Sequence, residues 1–394
     1  MTGNYAYLDH ASSSPVRPTV TTAMLPYLSE FYGNPSSNHL PGRECRTAID
    51  KARDRVSEIL GADSDEIVFT SGATESIILS LIGAFAGNRH RGKHIIASKF
   101  EHHAVLSVFD FLREEMGAET EFVDIDRDGM VRTDRLESMI RPDTVLVSVM
   151  AVNNEIGTIQ DIKTISGLCA ERGILFHSDC VQAIGKIPVN LRESGIDLVS
   201  ISGHKFGASK GVGIMYVRKG TYLKNICAGS HEFGMRAGTE NTPGIVGISV
   251  AIEEAVKERE ESNERNRKYI NRLWEHIRSV ATDSSINGSP DNTVQSILNV
   301  RIPGCVGEML VLALDRAGVA SSTASACQSG ATEPSHVLSS MGLSQIEALS
   351  SLRLSLGWST TDAEIDHFIE VFPEVYSRIK NSATVPTNTN LSKK

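Results

Sequence analysis

"EIVFTSGATESIILSLIGAFAG", residues 66–87, changes its hydrophobic period in mid-course. The first part is a short run of β-branched and aromatic residues and reads as a strand. Gly72 then permits a tight turn, and the stretch from Thr74 reads as a helix. The same alternation extends along the chain. "HIIAS" (94–98), "TEFVDI" (120–125), "TVLVSVM" (144–150), "GILFHSD" (173–179), "DLVSIS" (197–202) and "GVGIMYV" (211–217) read as strands, with helical patterns such as "IKTISGLCAERG" (162–173) between most of them. Strands alternating with helices imply an α/β fold with a mainly parallel central sheet covered on both faces.

From about residue 245 the texture changes. "GISVAIEEAVKEREESNERNRKYINRLWEHIRSVA" (247–281) reads as one long helix whose apolar stripe runs through Ile270, Leu273, Ile277 and Val280. "QSILNVRI" (295–302) opens a smaller α+β region. We therefore expect a large domain over residues 15–260, a small domain made of 1–14 and 261–380, and a disordered tail over 381–394. There is no internal repeat. "DIDRDG" (124–129) resembles the start of a calcium loop, but its twelfth position is Arg135 rather than a bidentate Glu, so a turn after a strand is expected.

The 394 residues exceed one ordinary core, and 40% hydrophobic with 22% charged residues describes a soluble globular chain. A formal charge of −9 argues against a nucleic-acid platform, which needs a basic face. No apolar run is long enough to span a membrane, and no secretion signal opens the chain, so a cytoplasmic protein is expected. The six cysteines, at 45, 169, 180, 227, 305 and 327, show no metal-ligand spacing and form no small-protein disulfide pattern, so neither a metal site nor disulfides are expected. Cys327 is set apart by its small, hydroxyl-rich surroundings in "STASACQSGATEPSHVL" (322–338), which read as loop.

Four segments fall just past the carboxyl ends of expected strands, where an α/β sheet presents its chemistry. "FTSGATES" starts a helix near Thr74, an anion site or an ordinary helix start. "FHSDCVQAIGK" places Asp179 at a strand end with Gln182 after it; the carboxylate suits either a protonated ring nitrogen or a helix cap. "SISGHKFG" roots Lys205 at a strand end, where a desolvated amine becomes a Schiff-base nucleophile. "SKFEHHAVL" brings His102 and His103, one of them able to stack on a planar ring. Together they supply what pyridoxal phosphate requires of a protein.

The sequence resembles the cysteine desulfurases of the NifS and IscS type, in the class V aminotransferase family, from "YLDHASSSPVRP" (7–18) to about residue 375. The resemblance is carried by "GNPSS" (33–37), "VFTSGATES" (68–76), "EHHAVL" (101–106), "VNNEIGTIQDI" (152–162), "HSDCVQAIGK" (177–186), "SGHKFG" (202–207), "GMRAGTEN" (234–241), "ASACQSGATEPSHVL" (324–338) and "LRLSLG" (352–357). It implies the type I pyridoxal-phosphate transferase fold, with Lys205 joined to pyridoxal 5'-phosphate as a Schiff base and His102 stacked on its ring. Asp179 would pair with the ring nitrogen, and Gln182 would bond the ring hydroxyl with Asn154 beside it. Ala73 (through its backbone), Thr74, Ser202 and His204 would bind the phosphate, and Thr239 would reach the phosphate of the other subunit of a homodimer. Asn34 and Arg353 would hold the carboxylate of L-cysteine. Cys327, on a loop of the small domain, would take the substrate sulfur as a persulfide, release L-alanine and pass the sulfur to an acceptor protein. The acceptor would serve iron–sulfur cluster assembly, tRNA thiolation or DNA phosphorothioation, the last as in DndA-like desulfurases.

The chain departs from the family pattern at Gly207-Ala208-Ser209, at Ala324 in place of a glycine, and at Phe233 in place of an arginine. A selenocysteine lyase or an aminotransferase on the same scaffold is the alternative activity, and a catalytically silent partner-binding scaffold is the alternative of another class. Cys327 disfavours the aminotransferase, and the retained Lys205, His102, Asp179 and Cys327 disfavour the scaffold.

Overall fold

The computed structural model describes residues 5–227, 229–323 and 333–383. The chain starts with a two-residue strand, β1 (Ala6–Tyr7). It then builds β2 (Ile67–Thr70), β3 (His94–Ser98), β4 (Glu119–Val123), β5 (Thr144–Ser148), β6 (Leu175–Asp179), β7 (Leu198–Ser202) and β8 (Gly213–Val217). These seven coincide with the seven expected strands and form one sheet of order β2-β8-β7-β6-β5-β3-β4. Pairs from β4 to β7 are parallel, while β8 runs antiparallel to both β2 and β7. The link from β7 to β8 is too short for a crossover helix, so the chain turns back on itself there.

Alternate residues of each strand feed two apolar layers. In β3, Ile95 and Ala97 pack with the helices Ala73–Asn88 and His103–Met116, while Ile96 packs with Leu40–Leu60, Ile162–Glu171 and Thr242–Lys257. With both faces covered, the strands are buried almost throughout apart from the edge strand β4, which is why most of them read as largely apolar runs.

A separate core is built by Leu273, Ile277, Leu298, Val300, Leu352 and Phe368. Its sheet runs β12 (Ser351–Ser355), β10 (Ile297–Arg301), β9 (Ser285–Ile286), all antiparallel, and β11 (Val319–Ala320) pairs in parallel with β1. Ala6 and Leu8 pack into this second core, whereas Val294, Val337 and Leu338 pack into the first. The expected single helix over 247–281 is two, Thr242–Lys257 and Arg259–Val280, separated at Glu258 (φ −85°, ψ −3°). Ile245, Ile248 and Ile252 pack in the first core and Leu273 and Ile277 in the second, so the break falls where the chain changes cores. The last helix, Asp362–Ala383, carries the chain past the expected boundary at 380. Residues 384–394 of the expected tail lie outside the described residues.

The 124–129 segment is a turn, as its composition suggested. Asp126 Oδ1 accepts the N–H groups of Asp128 and Met130, both at 2.9 Å, and Gly129 takes φ +76°. The departure at 207 is also accounted for. Gly207 has φ +98°, and a Cβ there would meet Arg17 Cγ at 2.7 Å. Phe233 takes φ +57° and lies under the Arg53 guanidinium at 5.0 Å, while Arg53 makes a two-toothed pair with the buried Glu232. Among the described residues, no helix is long and apolar enough to cross a membrane, and no cluster of metal-ligating side chains occurs.

Candidate active site

The carboxyl ends of β2, β6 and β7 converge on a cavity of about 490 Å³. Of the expected site residues it brings together Ala73, Thr74, His102, Asn154, Asp179, Gln182, Ser202, His204, Lys205 and Arg353.

At one end lies the start of the helix Ala73–Asn88. No side chain caps it, whereas the helices beginning at His103, Ile162 and Thr242 are capped by His102, Asp161 and Asn241. An uncapped start leaves backbone N–H groups directed at the cavity, with the helix dipole adding positive potential. β8 lies close behind this turn: a Cβ on Gly213 would meet Gly72 Cα at 2.6 Å, so only glycine permits the approach. Thr74, Ser202 and His204 also line the cavity. His204 bonds Ser13 Oγ through Nδ1 at 3.2 Å, and burial, with the nearby Lys205 charge, pushes its pKa down to about 4. A neutral imidazole and uncapped amides form a donor set for a phosphate.

Asp179 lines the same cavity, 4% exposed, with Oδ1 accepting the Val181 N–H at 2.9 Å. Burial raises its pKa to about 6, against the lowering pull of that hydrogen bond and of Lys205. A cationic ring nitrogen would hold the group ionised. His102 caps its own helix: Nδ1 accepts the Ala104 N–H at 3.1 Å, which fixes the ring and leaves the hydrogen on Nε2. Burial, then Lys205, lowers its pKa to about 4, so the ring is neutral and able to lie against another planar ring.

Lys205 follows β7 in a short 3₁₀ turn, and its Nζ donates to the carbonyls of Ala11 at 2.9 Å and Ser12 at 2.7 Å. Gln182 Nε2 donates to the same Ala11 carbonyl at 2.9 Å, and Lys186 Nζ donates to Gln182 Oε1. The Gln182 amide is thereby locked in one orientation, with its remaining N–H available to a ligand. At the far side, Arg353 of β12 enters from the smaller core, 3% exposed, and contacts the Asn154 carbonyl at 3.0 Å.

Two expected residues do not line the cavity. Asn34 is exposed in the loop before the helix Leu40–Leu60, where its Oδ1 accepts the Ser36 N–H at 2.9 Å. Thr239 is exposed ahead of the helix Thr242–Lys257. Cys327 lies outside the described residues, but both flanks of its segment are placed. Ser322 exchanges backbone hydrogen bonds with Arg353, at 3.1 and 2.7 Å. On the return, His336 Nε2 bonds the Glu101 carbonyl at 3.0 Å, beside His102.

The sequence did not single out Asp9, Lys186 or Glu101. Lys186 had a usable signal in its four-residue spacing from Gln182. Glu101 is fully buried; Oε1 accepts from Ser98 and from the Met150 N–H, and Oε2 has no partner among the described residues. Burial raises its pKa to about 8. Its ordinary value in an unfolded chain is near 4.5. Between these values the unfolded chain loses the proton and the folded one keeps it, so Glu101 costs stability increasingly as pH rises through that window. Glu101→Gln removes this cost. Its gain in urea midpoint over the parent is expected to grow from pH 5 to pH 8, and a pH-independent difference would refute the neutral carboxyl.

A family model described as Aminotransferase class-V matches residues 6–368. The chain is 42% identical over 389 residues to the Cysteine desulfurase IscS of Dictyoglomus turgidum, covering 98% of each. It is 44% identical over 376 residues to the Cysteine desulfurase IscS of Methanosarcina thermophila, covering 95% of this chain and 93% of that one. Among solved structures, a NifS-like protein superposes with a TM-score of 0.89 at 35% identity, covering 95% of this chain and 100% of the other. The structure of SspA in complex with cysteine gives 0.79 at 35% identity, covering 89% and 98%.

Proposed function

From the premise that the chain belongs to the class V aminotransferase family and is a pyridoxal-phosphate-dependent cysteine desulfurase, we propose how its own residues divide the work. The carrying observation is that one cavity joins an uncapped helix start, a buried carboxylate, a strand-end lysine and a buried arginine. This donor set fits the cofactor: Ala73, Thr74, Ser202 and His204 would hold the phosphate, Asp179 the ring nitrogen, Gln182 with Asn154 the ring hydroxyl, His102 the ring face, and Lys205 the covalent link. When bound, the cofactor supplies the electron sink for chemistry at the substrate's α-carbon.

Arg353 receives the carboxylate of L-cysteine and orients the side chain towards the flanks of the Cys327 segment. The Lys205 amine, which would hold the cofactor, would also be placed to move a proton at the substrate's α-carbon. The Cys327 thiolate attacks the substrate sulfur. An S–S bond forms as the C–S bond breaks, the electron pair stays with the substrate's β-carbon, that carbon is protonated, and L-alanine leaves. Cys327 then holds a persulfide for an acceptor protein. Four of the other thiols are poorly suited to this role: burial raises Cys169 and Cys180 to about 12 and raises Cys305 as well, and Cys45 is buried against the Phe31 carbonyl. We further propose a homodimer in which Asn34 and Thr239, both away from this chain's cavity, serve through loop closure and the other subunit respectively.

The test is production of alanine and sulfide in equal amounts from L-cysteine by the cofactor-loaded protein in the presence of an added dithiol, which reduces the persulfide to sulfide, with selenocysteine assayed beside it. Arg353→Leu is expected to raise KM for cysteine on the order of a hundredfold, since a charge-assisted two-toothed pair is lost, while the cofactor's visible absorbance is kept. An unaltered KM would show that another group holds the carboxylate.

A further inference from the structure

Arg353 reaches the cavity already engaged. Its Nη2 donates to Asp9 Oδ1 at 2.9 Å and to Ser12 Oγ at 2.8 Å, and the Ser12 hydroxyl donates in turn to Asp9 Oδ1 at 3.0 Å. Its Nη1 donates to the Asn154 carbonyl at 3.0 Å, and its Nε is buried without a partner among the described residues. The ion pair is enclosed, with side chains 4% and 19% exposed. The backbone holds it in place, since Asp9 bridges Ser355 of the strand that carries Arg353. Glu155, a buried carboxyl that also feels the Arg353 charge, bonds Ser335 instead.

A guanidinium grips a carboxylate with two parallel N–H groups from one edge. One edge pairs Nε with Nη2 and the other pairs Nη1 with Nη2. Either grip therefore needs Nη2, whose two hydrogens go to Asp9 and Ser12. A substrate carboxylate gains a two-toothed hold only by displacing one of them. It must in any case settle beside the negative charge of Asp9, in a site where little water screens the repulsion.

We propose that Asp9 is an exchangeable occupant of the carboxylate site: it holds Arg353 in position before substrate binds, yields Nη2 to the amino-acid carboxylate, and by its charge weakens the hold on the alanine product. The assignment rests on the reading of Arg353 as the carboxylate anchor. It makes Asp9 a positioning residue that sets affinity for amino acids without taking part in bond breaking.

The test uses cofactor-loaded enzyme and L-alanine, with binding read from the change in the cofactor's visible spectrum rather than from turnover. Asp9→Asn keeps an oxygen that accepts from Nη2, so Arg353 stays oriented while the competing charge is gone. Alanine is expected to bind on the order of tenfold more tightly, with a parallel fall in KM for cysteine. Ser12→Ala, which removes a neutral contact, is expected to change alanine affinity far less. Should Asp9→Asn fail to load cofactor, Asp9→Ser is measured in its place. Unchanged or weaker alanine binding in the Asp9 variant, or an equal tightening in Ser12→Ala, overturns the proposal. Arg353→Leu separates the two levels: if it leaves alanine binding intact the anchor reading has failed, and if it abolishes binding while Asp9→Asn does nothing only the competitor has.

Discussion

Lys205→Ala is expected to yield a colourless protein that forms no alanine from cysteine. The reason is positional. Lys205 leaves the end of β7 in a turn that directs Nζ across the cavity to the Ala11 and Ser12 carbonyls, within the space bounded by Asp179 and His102. Two other amines are near enough to be considered. Lys210 lines the cavity, and the Lys186 amine is buried, with a pKa lowered to about 7 by desolvation and then by Lys205 and Arg353. A lysine poised near neutrality is a competent nucleophile in principle. The Lys186 amine is turned to Gln182 Oε1, however, and serves to hold that amide. Losing both the covalent link and the proton carrier is expected to lower the rate by on the order of a thousandfold or more. Absorbance after dialysis and alanine analysis give the readouts. A variant that stays yellow and active would mean that Lys186 or Lys210 has taken the link, and the assignment of Lys205 would be lost.

The parts legible in the sequence were those set by local pattern. Strands buried on both faces left largely apolar runs, and the half-exposed edge strand β4 left a short β-branched and aromatic one, so all seven strands of the large sheet could be placed. Asp179, Lys205 and His102 stood out because each follows such a run directly. What escaped depends on pairing at a distance. The antiparallel course of β8 follows from the length of its connection rather than from its own residues. The break at Glu258 lies in a continuously helical pattern and marks only where the chain passes from one core to the other. Asp9 meets Arg353 across a separation of 344 residues, and no local pattern announces such a pair. Glu101 reads like any charged residue near a helix start, yet it is enclosed beneath Asp179, whose charge adds to the burial that keeps it neutral. Asn34 and Thr239 were reachable only through the family resemblance, and within one chain they remain outside the cavity.

Cys327→Ser is expected to separate cofactor chemistry from sulfur transfer. Serine nearly matches cysteine in size but is a far weaker nucleophile towards sulfur. Nothing in the cavity is altered by the change, because Lys205, Asp179 and His102 lie at β-strand ends or shortly after them and Arg353 lies within β12, all outside the Cys327 segment. Addition of cysteine should therefore still shift the visible spectrum, while sulfide and alanine fall by on the order of a thousandfold. Ser322 lies five residues before Cys327 in sequence and is tied to Arg353 through both backbone groups, so a fully extended chain spans at most about 18 Å between the two Cα atoms. An ordinary thiol ionises near pH 8.5, and the thiolate is the attacking form, so parent activity should climb by roughly fifteenfold from pH 7 to pH 8.5. The buried histidines do not produce this rise: His102 and His204, with pKa values lowered to about 4, are already neutral at pH 7. After a brief exposure to cysteine, mass spectrometry should find one added sulfur on the peptide containing Cys327 and none on those containing Cys45, Cys169, Cys180, Cys227 or Cys305. Of these, Cys227 is the informative control, because it alone among the described thiols is not buried. Sulfur arriving first at Cys227, or a Cys327→Ser enzyme with the parent rate, would move the persulfide to another residue and leave the Cys327 segment without its proposed part in the reaction.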